Sequence, residues 1–83
     1  MRFREIAPPE VASGAPRLIC TGRQEAVIEG HRGLFSYETA CIRVRTGQGV
    51  WTVSGSDLTI DYFGAEDMRI RGRVDEVKMD GEG

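Results

Sequence analysis

Apolar and polar side chains alternate through residues 40–74, and this alternation constrains the fold more than any other feature of the chain. A period of two residues places successive side chains on opposite faces of an extended strand. We therefore expect strands with one buried face. The apolar residues that alternate in this way are Ile42, Val44, Trp51, Val53, Leu58, Ile60, Tyr62, Met68, Ile70 and Val74.

Two glycine-containing segments interrupt the alternation, at residues 46–49 and 54–57. Short connections of this kind join antiparallel strands. The pattern predicts a β-meander with no helix longer than two turns after Pro16. Its strands are expected near residues 41–46, 50–54, 57–63 and 68–74. Its core is expected to contain Ile42, Val44, Val53, Leu58, Ile60 and Ile70, with Trp51 as the largest apolar side chain.

Shorter strand patterns precede this stretch, at residues 17–21, 25–29 and 34–37. The first of them buries either Leu18 and Cys20 or Ile19 alone. A glycine-flanked loop is predicted at residues 30–33, which would make His31 a solvated turn residue.

Near the end of the chain the alternation slips by one residue, at Asp75 and Glu76. Val74 has even parity, whereas Val77 and Met79 are odd. A β-bulge or a sharp bend at this point would return both sets to one face. The slip also suggests a final strand that bends away and reaches a second chain.

The length of 83 residues is enough for one small domain. We predict an irregular, flexible N-terminal arm at residues 1–15, a single β domain at residues 16–79 and a frayed acidic tail at residues 80–83. The predicted fold class is all-β, a small antiparallel meander in the form of a curled sheet or a two-layer sandwich. Strand endings of the form apolar-x-Gly leave an irregular β-helix open as an alternative.

Composition indicates a soluble protein of ordinary charge. The formal net charge of −2 does not suggest a general polyanion binder. No apolar run approaches the roughly 20 residues that a membrane span needs, and the N-terminus has no secretory h-region. We therefore expect a cytoplasmic protein whose cysteines, Cys20 and Cys41, are reduced and buried.

Several short motifs occur in order along most of the chain. They are Pro16-Arg17 followed by Gly22, Ile28-Glu-Gly-His-Arg-Gly-Leu34, Tyr37, Ile42-Arg-Val-Arg-Thr-Gly47, Val53-x-Gly55-x-x-Leu58-x-Ile60 and Ile70-x-Gly72-x-Val74. With this spacing, residues 16–79 resemble the YabP/YqfC family of sporulation proteins. The chain departs from the usual family pattern at Gly30, where members often have Asn, and at Trp51.

The resemblance implies a small protein made in the mother cell of endospore-forming bacteria and required for sporulation. It implies no enzymatic activity and supplies no active-site residues. We therefore expect a non-enzymatic structural or assembly factor, located in the cytoplasm of the mother cell. The small core and the unpaired sheet edges favour a protein partner or a homo-oligomer.

Candidate catalytic and metal-binding residues do not form a convincing site in the sequence. Cys20, His31 and Cys41 lack the close cysteine spacing and the fourth ligand of a structural zinc site. A cysteine nucleophile would need exposure beside a base, and both cysteines adjoin apolar strand residues. The acidic pairs 66–67 and 75–76 fall at predicted turns, where we expect solvated surface charge, whereas acid–base catalysis needs a carboxyl group in a dry cleft. We predict no catalytic residue, cofactor, metal or small-molecule substrate.

Five arginines are the remaining candidates for a binding surface. They alternate with the apolar residues of their strands, so they are expected to point outward as a partner-binding face. They are Arg43, Arg45, Arg69, Arg71 and Arg73. An alternative is a small β-barrel that binds nucleic acid through this face. Such barrels also expose aromatic side chains that stack on bases, whereas Trp51 and Tyr62 are expected to lie on buried faces here. The sequence therefore favours a protein partner over nucleic acid.

Overall fold

Six antiparallel strands make up a single sheet in the computed structural model, which describes residues 15–80. The strands are β1 (Arg17–Thr21), β2 (Glu25–Glu29), β3 (His31–Glu38), β4 (Cys41–Thr46), β5 (Gly49–Phe63) and β6 (Asp67–Asp80). Their order in the sheet is β1-β2-β6-β5-β4-β3. The prediction of an all-β fold is confirmed, and its form is an open, curled sheet. Because β1 and β3 are edges, the sheet does not close into a barrel.

The sheet curls around one core because its two long strands, β5 and β6, each belong to both halves of the sheet. One half contains β3 and β4, and the other contains β1 and β2. The first part of β5 lies between β4 and the end of β6, whereas its last part pairs with the start of β6, next to β2. Side chains from both halves form one buried cluster: Ala26, Ile28, Ile42, Val44, Trp51, Val53, Leu58, Met68, Ile70 and Val74. The predicted core is therefore confirmed, with Ile60 partly buried against it.

The predicted turn at residues 54–57 is wrong, because β5 runs through it without reversing. Gly55 instead allows the backbones of β5 and β6 to come close together, because a Cβ at this position would overlap the carbonyl oxygen of Arg73. The turn between β3 and β4 lies against this point. The amide of Gly55 donates to the carbonyl of Ala40 at 3.1 Å, and that of Leu58 donates to the carbonyl of Thr39 at 2.8 Å.

β6 has a matching irregularity at Gly72, where φ is +129°. Here the turn between β1 and β2 supplies the acceptors. The amide of Gly72 donates to the carbonyl of Gln24 at 3.3 Å, and that of Val74 donates to the carbonyl of Arg23 at 2.7 Å. The β3–β4 turn is therefore hydrogen-bonded to the bend of β5, and the β1–β2 turn is hydrogen-bonded to the bend of β6.

The predicted bulge near Asp75 is confirmed. Ser54 pairs with Glu76 and Gly55 with Val74, which leaves Asp75 as the extra residue. Val77 returns to the core side, but Met79 stays exposed, contrary to the prediction. The final strand does not bend away towards a second chain, because it pairs with β5 as far as Asp80.

Three further predictions about single residues are wrong. Cys20 is exposed, because β1 is an edge strand and its inward face is only partly covered. Tyr62 is also exposed, because a register shift after Ile60 changes the parity of the end of β5. His31 is buried rather than solvated, because β3 begins at this residue and not after the predicted loop at 30–33.

The predicted arm and tail lie mainly outside the described residues. Of the predicted arm, only Ala15 is described. Of the predicted tail, only Asp80 is described, and it is the last residue of β6, paired with Val50.

Candidate functional site

A concavity of about 570 Å³ lies on the face of the sheet opposite the core, above the first part of β5. β4 forms one wall and the end of β6 forms the other, and Phe35 of β3 contributes beside the β4 wall. The residues that line it are Phe35, Cys41, Arg43, Arg45, Val50, Thr52, Ser54, Glu76, Lys78 and Asp80.

The strand register arranges these side chains in three rows across β4, β5 and β6. The first row is Arg45, Val50 and Asp80; the second is Arg43, Thr52 and Lys78; the third is Cys41, Ser54 and Glu76. Neighbouring strands lie about 4.8 Å apart, so the outer members of a row are separated by roughly 10 Å at their Cα atoms.

The concavity is a trough because its middle strand carries shorter side chains than its walls. Val50, Thr52 and Ser54 form a low floor, whereas long charged side chains rise from β4 and β6. The row at Thr52 has a cation on both walls, Arg43 and Lys78. We call the whole set of lining residues the β5 trough.

An aromatic side chain closes the β5 trough beside its first row. A register shift between Leu34 and Ser36 leaves Phe35 without a partner on β4. The guanidinium of Arg45 lies over the Phe35 ring, 4.9 Å from its centroid. Such a cation–π contact fixes both side chains at the wall. Sequence reasoning missed Phe35 because no local signal in residues 34–37 marks the bulge.

The five predicted arginines differ in their surroundings. Arg43 and Arg45 line the β5 trough, and the other three do not. The Nε atoms of Arg69 and Arg71 lie 2.9 and 3.3 Å from Asp61 Oδ2. Arg73 Nε lies 3.3 Å from Asp75 Oδ1. Exposed pairs of this kind contribute little stability, and Asp61 offsets only one of the two positive charges beside it.

His31 makes contacts that connect two turns of the molecule. The amide of Gly33 donates to Nδ1 at 3.0 Å, so Nε2 carries the proton and donates to the carbonyl of Gly64 at 3.0 Å. The ring also stacks on Phe63, with centroids 5.0 Å apart. Both nitrogens are therefore engaged by backbone groups, and His31 holds the start of β3 against the β5–β6 turn.

The other chemical candidates are dispersed. Cys20 is exposed on β1, whereas Cys41 is half-buried in the wall of the β5 trough. Glu66 lies in the β5–β6 turn, and its carbonyl accepts from the amides of Gly30 and His31. Within residues 15–80, no group of three His, Cys, Asp or Glu side chains is placed to hold a metal ion.

In the part of the chain that the structure covers, no helix has the length and apolar character needed to cross a membrane.

The fold and the β5 trough define the class to which this chain belongs: a small all-β domain built from one curled sheet, with a charged trough on its outer face. The chain belongs to the YabP family, whose family model matches residues 13–83. No curated protein matches it.

Proposed function

We propose that this protein is a non-enzymatic sporulation factor that acts in the mother-cell cytoplasm, where it helps to assemble other proteins. The observation that carries the proposal is membership of the YabP family over almost the whole chain. The family resemblance connects such chains to endospore formation.

The chemistry of the described side chains supports an assembly role. Both ring nitrogens of His31 bind backbone atoms, so this histidine serves the fold and is not free to act as a base. The β5 trough combines opposite charges on fixed strands, an arrangement suited to recognising the side chains of a partner.

A genetic experiment tests the role and its cell compartment together. The gene is deleted in a sporulating host, and heat-resistant spores are counted after complementation from a mother-cell promoter or a forespore promoter. We expect the deletion to lower the spore count severely, and only mother-cell expression to restore it. Normal sporulation of the deletion strain would contradict the proposal, and rescue from the forespore alone would contradict its compartment.

Self-association is a further part of the proposed function. Among residues 15–80, β1 pairs only with β2 and β3 only with β4, which leaves an unpaired edge on each. Residues 75–80 of β6 likewise pair only with β5, and residues 59–63 of β5 pair only with β6. β3 is interrupted by two register shifts, whereas β1 pairs regularly along its length. Bulges protect an edge from pairing with another chain. Of the edges of β1 and β3, that of β1 is therefore the better candidate for contact with a second copy.

A further inference from the structure

We infer that the β5 trough binds an extended segment of a protein partner in which alternate residues are apolar, acidic and basic. This inference rests on the proposed assembly function and names the kind of segment that the surface recognises. It follows from the spacing of the three rows and from the charge of each row.

The spacing of the rows matches the repeat of an extended chain. Val50, Thr52 and Ser54 are alternate residues of β5, so the rows lie about 6.6–6.8 Å apart. Side chains on one face of an extended peptide recur at the same interval. A segment lying along β5 therefore places three alternate side chains over the three rows.

The middle row selects an acidic side chain. Arg43 and Lys78 flank Thr52 from the two walls, and both are exposed. Neither makes an ion pair with another residue in 15–80. A carboxylate above the Thr52 hydroxyl would accept charge-assisted hydrogen bonds from both cations, which relieves their mutual repulsion.

The row at Ser54 selects a basic side chain. Glu76 is its only charged member, because Cys41 stands on the opposite wall. Ser54 supplies a small floor, so a lysine or arginine of the partner can reach the carboxylate. The preference for a cation here and an anion at Thr52 also decides which end of the segment lies over the row at Ser54, whichever way its chain runs.

The row at Val50 selects an apolar side chain. Arg45 and Asp80 face each other across it and balance in charge. Val50 forms the floor and Phe35 stands beside the wall, with the guanidinium of Arg45 over its ring. This end of the trough therefore offers the most apolar surface.

The same charges disfavour a nucleic-acid strand. A phosphate backbone carries a negative charge at every nucleotide, and it would meet Glu76 and Asp80 along one wall. Phe35 already has a guanidinium over its ring, whereas single-strand binders offer open aromatic faces to the bases. A peptide can alternate its charges to match the rows, and a nucleic acid cannot.

Selection from a displayed library of random linear peptides, with the full chain as bait, tests the inference. The enriched peptides should share the pattern apolar-x-acidic-x-basic, in this or the reverse direction. A labelled synthetic peptide of the consensus should bind about tenfold more weakly to Arg43→Glu or Lys78→Glu, since each loses a charge-assisted contact. Arg23→Glu is the matched control, because it makes the same charge change in the exposed β1–β2 turn, and it should bind like the parent.

A change of specificity gives a second readout. Glu76→Lys should bind the consensus peptide more weakly and should prefer a peptide with an acid in place of its basic residue. Circular dichroism of every variant establishes that it is folded. Absence of an enriched pattern, or an equal loss of binding in Arg23→Glu, would overturn the inference. So would salt-sensitive binding of a labelled single-stranded oligonucleotide that Arg43→Glu and Lys78→Glu abolish. None of these outcomes bears on the spore count, so the inference and the proposed function can fail separately.

Discussion

Trp51 lies near the start of β5 and packs in the core that both halves of the sheet share. Its side chain is only 4% exposed, whereas Tyr62, near the end of the same strand, is 50% exposed. Two aromatic residues of one strand therefore differ in burial, and this difference gives a direct test of the core.

We expect Trp51→Ala to lower the free energy of unfolding by about 3–5 kcal/mol, because it removes a large buried side chain and leaves a cavity. That loss is a large share of the stability of a small domain. Tyr62→Ala should change the free energy of unfolding by about 0.5 kcal/mol or less. Urea unfolding followed by circular dichroism measures both. Equal stability of Trp51→Ala and the parent would show that Trp51 is not part of the core.

His31 gives a second residue-level prediction. His31→Phe keeps an aromatic ring beside Phe63 but leaves the Gly33 amide and the Gly64 carbonyl without their partner. Both groups are part-buried, so each should cost about 1 kcal/mol, the low end of the range of about 1–3 kcal/mol for an unpaired buried polar group. The free energy of unfolding should therefore fall by about 2 kcal/mol. Arg32→Ala, at the exposed residue next to His31, serves as the control. An unfolding midpoint unchanged from the parent would contradict the role of these two hydrogen bonds.

At the scale of elements, the bends of β5 and β6 decide the shape of the sheet. Each bend contains a glycine that lets another backbone come close, and each is held by the turn of a neighbouring hairpin. Because of these bends the sheet curls, and the apolar side chains of its two parts pack against each other.

We therefore expect Gly55→Ala to destabilise the domain by about 2–3 kcal/mol, because its Cβ would overlap the carbonyl oxygen of Arg73. Gly22→Ala is a suitable control. Its φ of +57° strains an alanine, but no atom lies within 4 Å of the added Cβ, so the expected cost is about 1 kcal/mol. Thermal unfolding of both variants gives the comparison. A larger effect at Gly22 than at Gly55 would contradict the close approach in β5.

At the scale of the whole molecule, the unpaired strand edges lead us to expect a homo-oligomer, most simply a two-fold dimer. The full chain and a chain shortened to begin at Pro16 should both sediment as dimers at tens of micromolar, because we expect residues 1–15 to contribute little. Ile19→Lys, at the centre of β1, should shift the full chain towards the monomer, since a charge in the middle of an edge strand opposes pairing. A monomer in every case would defeat the expectation, and loss of the dimer only on shortening would place the contact in residues 1–15.

Local pattern determined most of the strands. The alternation at 41–46 and 68–74 follows from the pleat of a strand with one buried face, and it predicted the burial of Ile42, Val44 and Ile70. The parity slip before Val77 likewise predicted a bulge or a sharp bend at Asp75, and the structure has the bulge, because one extra residue returns Val77 to the core side.

Tertiary structure alone decided which glycines turn the chain and which allow close contact. The segments 46–49 and 54–57 look alike in sequence, yet the first is a hairpin turn and the second continues β5. The difference lies in a long-range neighbour: Gly55 lies against Arg73, 18 positions along the chain. The β5 trough also depends on long-range strand pairing. Arg43 and Lys78 lie on the two sides of Thr52 only because β4 and the end of β6 both pair with β5. A side-chain period reports which face a residue occupies, but not which strand lies beside it.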